Sequence, residues 1–183
     1  MPVNKNRHPL HKVIGDIVRE SEFPDCTIIK DPACGGKQNI PLFCSSVKSN
    51  QTEYCNVDLL ILKDDRIRVI IEIEEADITP TKIFGKFLTS ALSSYYIHRT
   101  QNDVPIGMGD WVSFIQILDM SKLEVDKTAK FNQWEYIENS IQSIVPIKNS
   151  KIGDYKIFFG DISNFGEEDK RQEVIQYIRG VLK

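Results

Sequence analysis

The 183-residue chain is poor in the features that assign a function at sight. Its four cysteines, Cys26, Cys34, Cys44 and Cys55, include no CxxC pair, so no zinc knuckle is suggested; reduced thiols, two of them in strand-like runs, are the simpler expectation. No apolar run approaches the roughly 18–20 residues of a membrane span. The stretch MPVNKNRHPLHK is polar and has no apolar signal-peptide core, so a cytoplasmic protein is expected. There is no GxSxG, HExxH or HNH-like set, and the GGK ending at Lys37 lacks the GxxxxGK[ST] spacing of a phosphate loop. Basic residues are not in excess: the net charge is -3 and the pI about 5.7. That excludes indiscriminate, charge-driven nucleic-acid binding but leaves room for a local basic groove. Histidine is scarce, and His8, His11 and His98 are all read as surface residues.

What is present is ordinary for a globular protein, 41% hydrophobic and 27% charged, and residues 1–183 are expected to form a single domain. Leu10, Val13, Ile14, Ile17 and Val18 recur with helical spacing, which predicts an amphipathic helix over 9–22 ended by Pro24. CTIIK, IPLFCSS, CNVDLLIL and IRVIIEIEE read as strands, the last three as an antiparallel meander with a turn at KDDR. DITPTKIFGKFLTSALSSYYIHR predicts a helix with Thr79 as N-cap and Pro80 in its first turn. WVSFIQILD and DYKIFFGDI then read as strands, separated by a helix over KTAKFNQWEYIENSIQSIV and followed by a C-terminal helix. VPIGMGDW is read as a Gly-rich connection, and Tyr95, Tyr96, Trp111 and Trp134 as core. The alternation in the second half implies some parallel pairing, hence an α/β or α+β domain around one mixed sheet.

The chemistry sits in NVDLLILKDDRIRVIIEIEE. Side chains alternate along a strand, so Ile71 and Ile73 share one face and Glu72 and Glu74 the other. If the two strands pair, Asp58 sits beside Glu72 and Glu74. Buried carboxylates at such a site must be protonated or neutralised by cations, and an all-oxygen set suits Mg²⁺ or Mn²⁺ better than zinc. Solvated acids on an edge strand are the competing reading.

A helix, a strand carrying Asp58, a turn, a strand carrying Glu72-Ile73-Glu74 and a second helix resemble the PD-(D/E)XK, or restriction endonuclease-like, nucleases over about Pro9 to Asp119. The resemblance implies a three-layer α/β/α fold, with helices on both faces of a mixed sheet. It implies an Mg²⁺-dependent DNA endonuclease, with Mn²⁺ as substitute: a small restriction enzyme, or the cleavage subunit of one. Asp58 would bridge the metals, and Glu72 and the Ile73 carbonyl would be ligands. Glu74 stands where the family has lysine and would act as base or as ligand to a second metal; NVD stands in place of Pro-Asp. Glu20 would be the acid recruited from the first helix. Lys82 and Lys86, at i and i+4 after the acids, are candidates for a relocated lysine, and Lys37 is a further basic candidate. Double-stranded DNA is the implied substrate, with a homodimer or a larger DNA-recognition subunit completing the assembly. Two alternatives stay open. One is a catalytically inactive nuclease-fold module that binds DNA or protein, motivated by the Lys-to-Glu departure and the acidic pI. The other is an interaction domain with a fortuitous E-x-E.

Overall fold

The structure, a computed structural model, describes residues 8–123 and 127–183. Its helices are α1 (Pro9–Ile17), α2 (Pro80–Ala91), α3 (Lys127–Gln142), α4 (Ile162–Gly166) and α5 (Glu168–Val181). Its strands are β1 (Thr27–Lys30), β2 (Ile40–Phe43), β3 (Glu53–Val57), β4 (Leu59–Lys63), β5 (Arg66–Glu74), β6 (Tyr95–Tyr96), β7 (Ile106–Asp119) and β8 (Ile152–Gly160). They form one mixed eight-stranded sheet in the order β1-β4-β5-β7-β6-β2-β3, with β8 also on β7, so the fold is α/β. β4 lies antiparallel between β1 and β5, whereas β5, β7 and β8 run parallel. The parallel steps pass through α2 and α3, the crossovers that parallel pairing needs.

Alternation along β5 sorts the core. Val69, Ile71 and Ile73 pack in a cluster with Leu10 and Ile14 of α1, Phe165 of α4 and Ile175 of α5. Ile70 packs in another with Ile83 and Phe87 of α2 and Trp134 and Ile137 of α3. Glu72 and Glu74 alternate onto the α2 side. Residues Lys63 and Arg66 pair across a two-residue turn in which Asp64 and Asp65 have φ of 53° and 54°, as a tight hairpin turn of primed type requires. No helix among the described residues is long and apolar enough to cross a membrane.

Several elements differ from their sequence patterns. The first helix stops at Ile17, and Glu20–Glu22 form a separate 3₁₀ turn. Continued to residue 23, the helix would turn Phe23 away from Ile14; instead the chain bends and buries it to 3% exposure. The second helix stops at Ala91, where Ser93 Oγ bonds the Thr89 carbonyl; Tyr95 and Tyr96 form a strand against β2 and β7. Most of VPIGMGDW belongs to β7. Trp111 is 51% exposed and stacks over Gly153 rather than joining the core. The run CNVDLLIL bends at Asp58: β3 pairs with β2, and β4 with β1 and β5, so the expected three-strand meander is divided. The C-terminal helical segment is α4 and α5, the former opened by a reciprocal capping box of Asp161 and Asn164.

Candidate functional site

The acids gather at the carboxyl end of β5, the end of a parallel strand where α/β folds place ligands. Asp58 occupies the bend between β3 and β4, one residue beyond the last β4–β5 pair, Leu59 with Ile71. Its main chain remains in register, the carbonyl accepting from the Asp31 amide at 2.9 Å. Its side chain closes the ladder: Oδ2 accepts from the Ile73 amide at 2.7 Å. Oδ1 lies 3.6 Å from His11 Nε2.

Glu72 is fully buried, and Glu74 is 4% exposed. Both are met by α2. Lys86 Nζ stands 3.0 Å from Glu72 Oε2, and Lys82 Nζ 2.5 Å from Glu74 Oε2. The i, i+4 spacing puts the two ammonium groups one turn apart, matching the i, i+2 spacing of the glutamates on the strand. Lys82 also donates to the Ala76 carbonyl at 2.9 Å. The charge conflict read from the sequence is therefore met first by protein cations. The remaining oxygens, Glu72 Oε1 and Glu74 Oε1, are buried without a hydrogen-bond partner, as is Gln116 Nε2, whose residue is registered with Glu72 on β7.

Burial, reinforced by the charges of Asp58 and Glu74, pushes the Glu72 carboxyl well above the usual carboxylate range, although Lys86 pulls the other way. Burial acts in the same sense on Asp58 but is outweighed by His11, the Ile73 amide and Lys86, which hold that carboxyl below its ordinary value. Two neighbouring acids are thus driven apart, a pattern that marks division of labour in acid–base sites. Burial lowers the proton affinity of Lys86, but Glu72 and the other acids outweigh it and keep the ammonium charged to higher pH.

The first helix contributes differently from the expectation. Glu20 is exposed in the 3₁₀ turn beyond the C-terminal end of α1, lining an open groove with Arg19, Lys30 and Lys37. No hydrogen bond or ion pair among the described residues joins it to Asp58, Glu72 or Glu74. α1 turns its N-terminal end toward the acids, and nine residues of helix span about 13 Å, which removes Glu20 from the site. Lys37 lies in the same groove. The residue α1 does supply is His11, buried to 7% exposure rather than at the surface. Glu75 completes this end: its Oε1 accepts from the Leu10 and His11 amides. His11 was recoverable from the sequence, since it stands at i, i+3, i+7 with Ile14 and Val18; Glu75, just past the strand, carried no such signal.

The donor set suits a hard divalent cation, because Glu72 and Glu74 each keep one unpartnered buried oxygen. The three acids do not, however, converge as one preformed set. Among the described residues, only His8, His11 and Glu75 bring three ligand atoms within 4.8 Å of one another. The fit is that of Glu72 with Asp58 at its side and the Ile73 segment between them, with Glu74 adjacent. Comparison with known proteins finds no matching family model, no similar curated protein and no similar solved structure.

Proposed function

We propose that the chain is a divalent-cation-dependent DNA endonuclease on the restriction endonuclease-like plan, acting in the cytoplasm. The observation that carries this reading is Glu72: wholly buried, one oxygen on Lys86, the other unpartnered, beside a carboxylate held ionised at Asp58. The order of elements supports it. A helix, the strands β1, β4 and β5 with β4 antiparallel between the other two, a crossover helix and a parallel β7 put Asp58 at the start of one strand and Glu72 near the end of the next.

Asp58, Glu72, the Ile73 carbonyl and Glu74 would hold Mg²⁺ or Mn²⁺. The ion supplies the acidified water and the neutralisation of phosphate oxygens that phosphodiester hydrolysis requires. The chain's own groups do the rest. The Ile73 amide fixes the Asp58 carboxylate. Lys86, one-third exposed, holds Glu72 by one N–H and has further donors for a phosphate oxygen or the attacking water. It takes the place of the lysine that Glu74 displaces. Lys82 restrains Glu74 in the same way. A homodimer, or a larger subunit that reads the sequence, would complete a double-strand cut.

The test is plasmid cleavage in Mg²⁺ by the full chain. Asp58→Ala and Glu72→Gln are expected to reduce cleavage by about 100-fold or more while far-UV circular dichroism stays unchanged. Variants that cut as well as the parent would sink the reading. One observation favours a second reading, a nuclease-fold module without catalysis: Glu72 and Glu74 each already have a lysine counter-charge. Calorimetry separates the two. Saturable Mg²⁺ or Mn²⁺ binding that Asp58→Ala removes supports the enzyme; no binding supports the module.

A further inference from the structure

Glu75 takes no part in the reaction above, yet it organises a second cluster. While its Oε1 holds the Leu10 and His11 amides, the same oxygen lies 3.2 Å from His11 Nδ1, and Oε2 lies 3.5 Å from His8 Nδ1. Two of the chain's three histidines thus meet on one carboxylate. His11 Nδ1 is buried and has no hydrogen-bond partner, while Nε2 of the same ring faces Asp58 Oδ1.

This arrangement needs a cation. A neutral imidazole carries one N–H. Placed on Nε2, toward Asp58, that proton leaves Nδ1 as a lone pair aimed at the Glu75 carboxylate. Two acceptors then face each other at 3.2 Å, and either a proton or a metal ion must stand between them.

We propose that His8, His11 and Glu75 form a transition-metal site, separate from the acids of β5, that takes Zn²⁺ or a similar first-row divalent ion. The two separations run to different oxygens of Glu75, 3.2 Å from Oε1 to His11 Nδ1 and 3.5 Å from Oε2 to His8 Nδ1. One ligand atom from each residue lies within 4.8 Å of the other two, close enough to draw in around one ion. Bonds of about 2.0–2.1 Å in a tetrahedron put ligand atoms about 3.3–3.4 Å apart. Two imidazole nitrogens and one carboxylate select zinc-like ions over Mg²⁺. Asp58 on the outer nitrogen of His11 is the carboxylate–histidine–metal arrangement that fixes ring and tautomer. The two amides on Glu75 orient its carboxylate, and its charge offsets the positive end of α1, which would otherwise repel a cation. Three protein ligands leave a position for water on the side of His8, whose ring is 55% exposed. None of this depends on the endonuclease reading.

The experiment uses tag-free, chelator-stripped full chain titrated with Zn²⁺ by calorimetry and with Co²⁺ by visible absorption. One ion per chain is expected. The imidazole proton resonances of His8 and His11 should move on Zn²⁺ addition while those of His98 stay. His8→Ala should weaken binding by at least about tenfold. That variant keeps the fold, because His8 is exposed and its side chain makes no cap bond. Glu72→Gln, which disables the acid site, should leave Zn²⁺ binding intact. The proposal is overturned by any of three results. One is no Zn²⁺ binding, which makes the bridging cation a proton. Another is binding unchanged in His8→Ala. The third is binding lost in Glu72→Gln but kept in His8→Ala, which puts the ion on the acids. Glu72 pairs with Lys86 and not with the histidine cluster, so loss of Mg²⁺-dependent cleavage in Glu72→Gln bears on the acid site alone and the two ideas fail separately.

Discussion

Lys86 Nζ reaches across the helix–sheet interface to within 3.0 Å of Glu72 Oε2, and among the described residues the Glu72 side chain has no other hydrogen-bond or ion-pair partner. Removing the ammonium as Lys86→Met leaves a buried carboxyl without its counter-charge. The expected cost is about 1.5–3 kcal/mol, read as a lower urea midpoint at constant m. Replacing both partners, as Glu72→Leu with Lys86→Met, should instead be neutral or stabilising by about 1–4 kcal/mol. If the single variant matches the parent, the pair does not form in solution.

The second ion pair invites a charge exchange. Glu74→Lys puts an ammonium at a 4%-exposed position beside Lys82 and should destabilise the fold by about 3–5 kcal/mol. Adding Lys82→Glu restores opposite charges and should recover much of that loss. A double-mutant cycle measures the coupling, and additive losses would mean that the two side chains do not interact.

Stability should fall on the alkaline side through His11. Burial of the ring lowers its proton affinity, but Asp58 and Glu75 outweigh burial and hold the imidazolium above its ordinary 6.5. A raised folded value means that the contribution is complete below pH 6.5 and is lost as pH rises through the folded value. Thermal melts of the chelator-stripped chain should show Tm declining above pH 6.5, and His11→Gln should flatten that limb. Glu72, also raised, adds a decline that begins above its ordinary 4.5 and persists in the His11 variant. Asp58 has the opposite sign: its contribution is present above its ordinary 3.8 and is lost as pH falls through its lower folded value.

Gly15 fixes how α1 lies on the sheet. A Cβ there would fall 2.1 Å from the Cys34 carbonyl oxygen, a backbone atom that cannot swing aside. Gly15→Ala is expected to destabilise by about 1–3 kcal/mol despite the better helix propensity of alanine. Because His11 rides on the same helix, the variant should also lose the alkaline limb described for His11. An unchanged melting curve would contradict this packing.

The parts legible in the sequence are those set by short-range periodicity. Alternation in VIIEIEE placed Glu72 and Glu74 on one face, and i, i+4 spacing placed Lys82 and Lys86 together on the next helix. What periodicity does not carry is direction. Nothing in PLHKVIGDIVRE says which end of the helix approaches Asp58; in the packed fold Gly15 lies against the Cys34 backbone and it is His11, not Glu20, that stands beside Asp58. Nor does CNVDLLIL show that its middle residue leaves one ladder for another, because the bend is made by a side chain bonding to the Ile73 amide. Tyr95 and Tyr96 read as helix because one of the two strands they pair with, β2, is distant in the chain.

The two-residue turn at Asp64–Asp65 has a kinetic consequence. It makes β4 with β5 a sequence-local hairpin, and such hairpins close in about 1–10 μs, well before parallel pairing across long crossovers. Asp58 and Glu72 are therefore brought side by side early, while Lys86 still awaits the docking of α2 and Glu72 is not yet sheltered. The repulsion falls on the folding barrier rather than on the finished state, so the refolding rate should rise as pH is lowered into the carboxylate range, even where equilibrium stability does not.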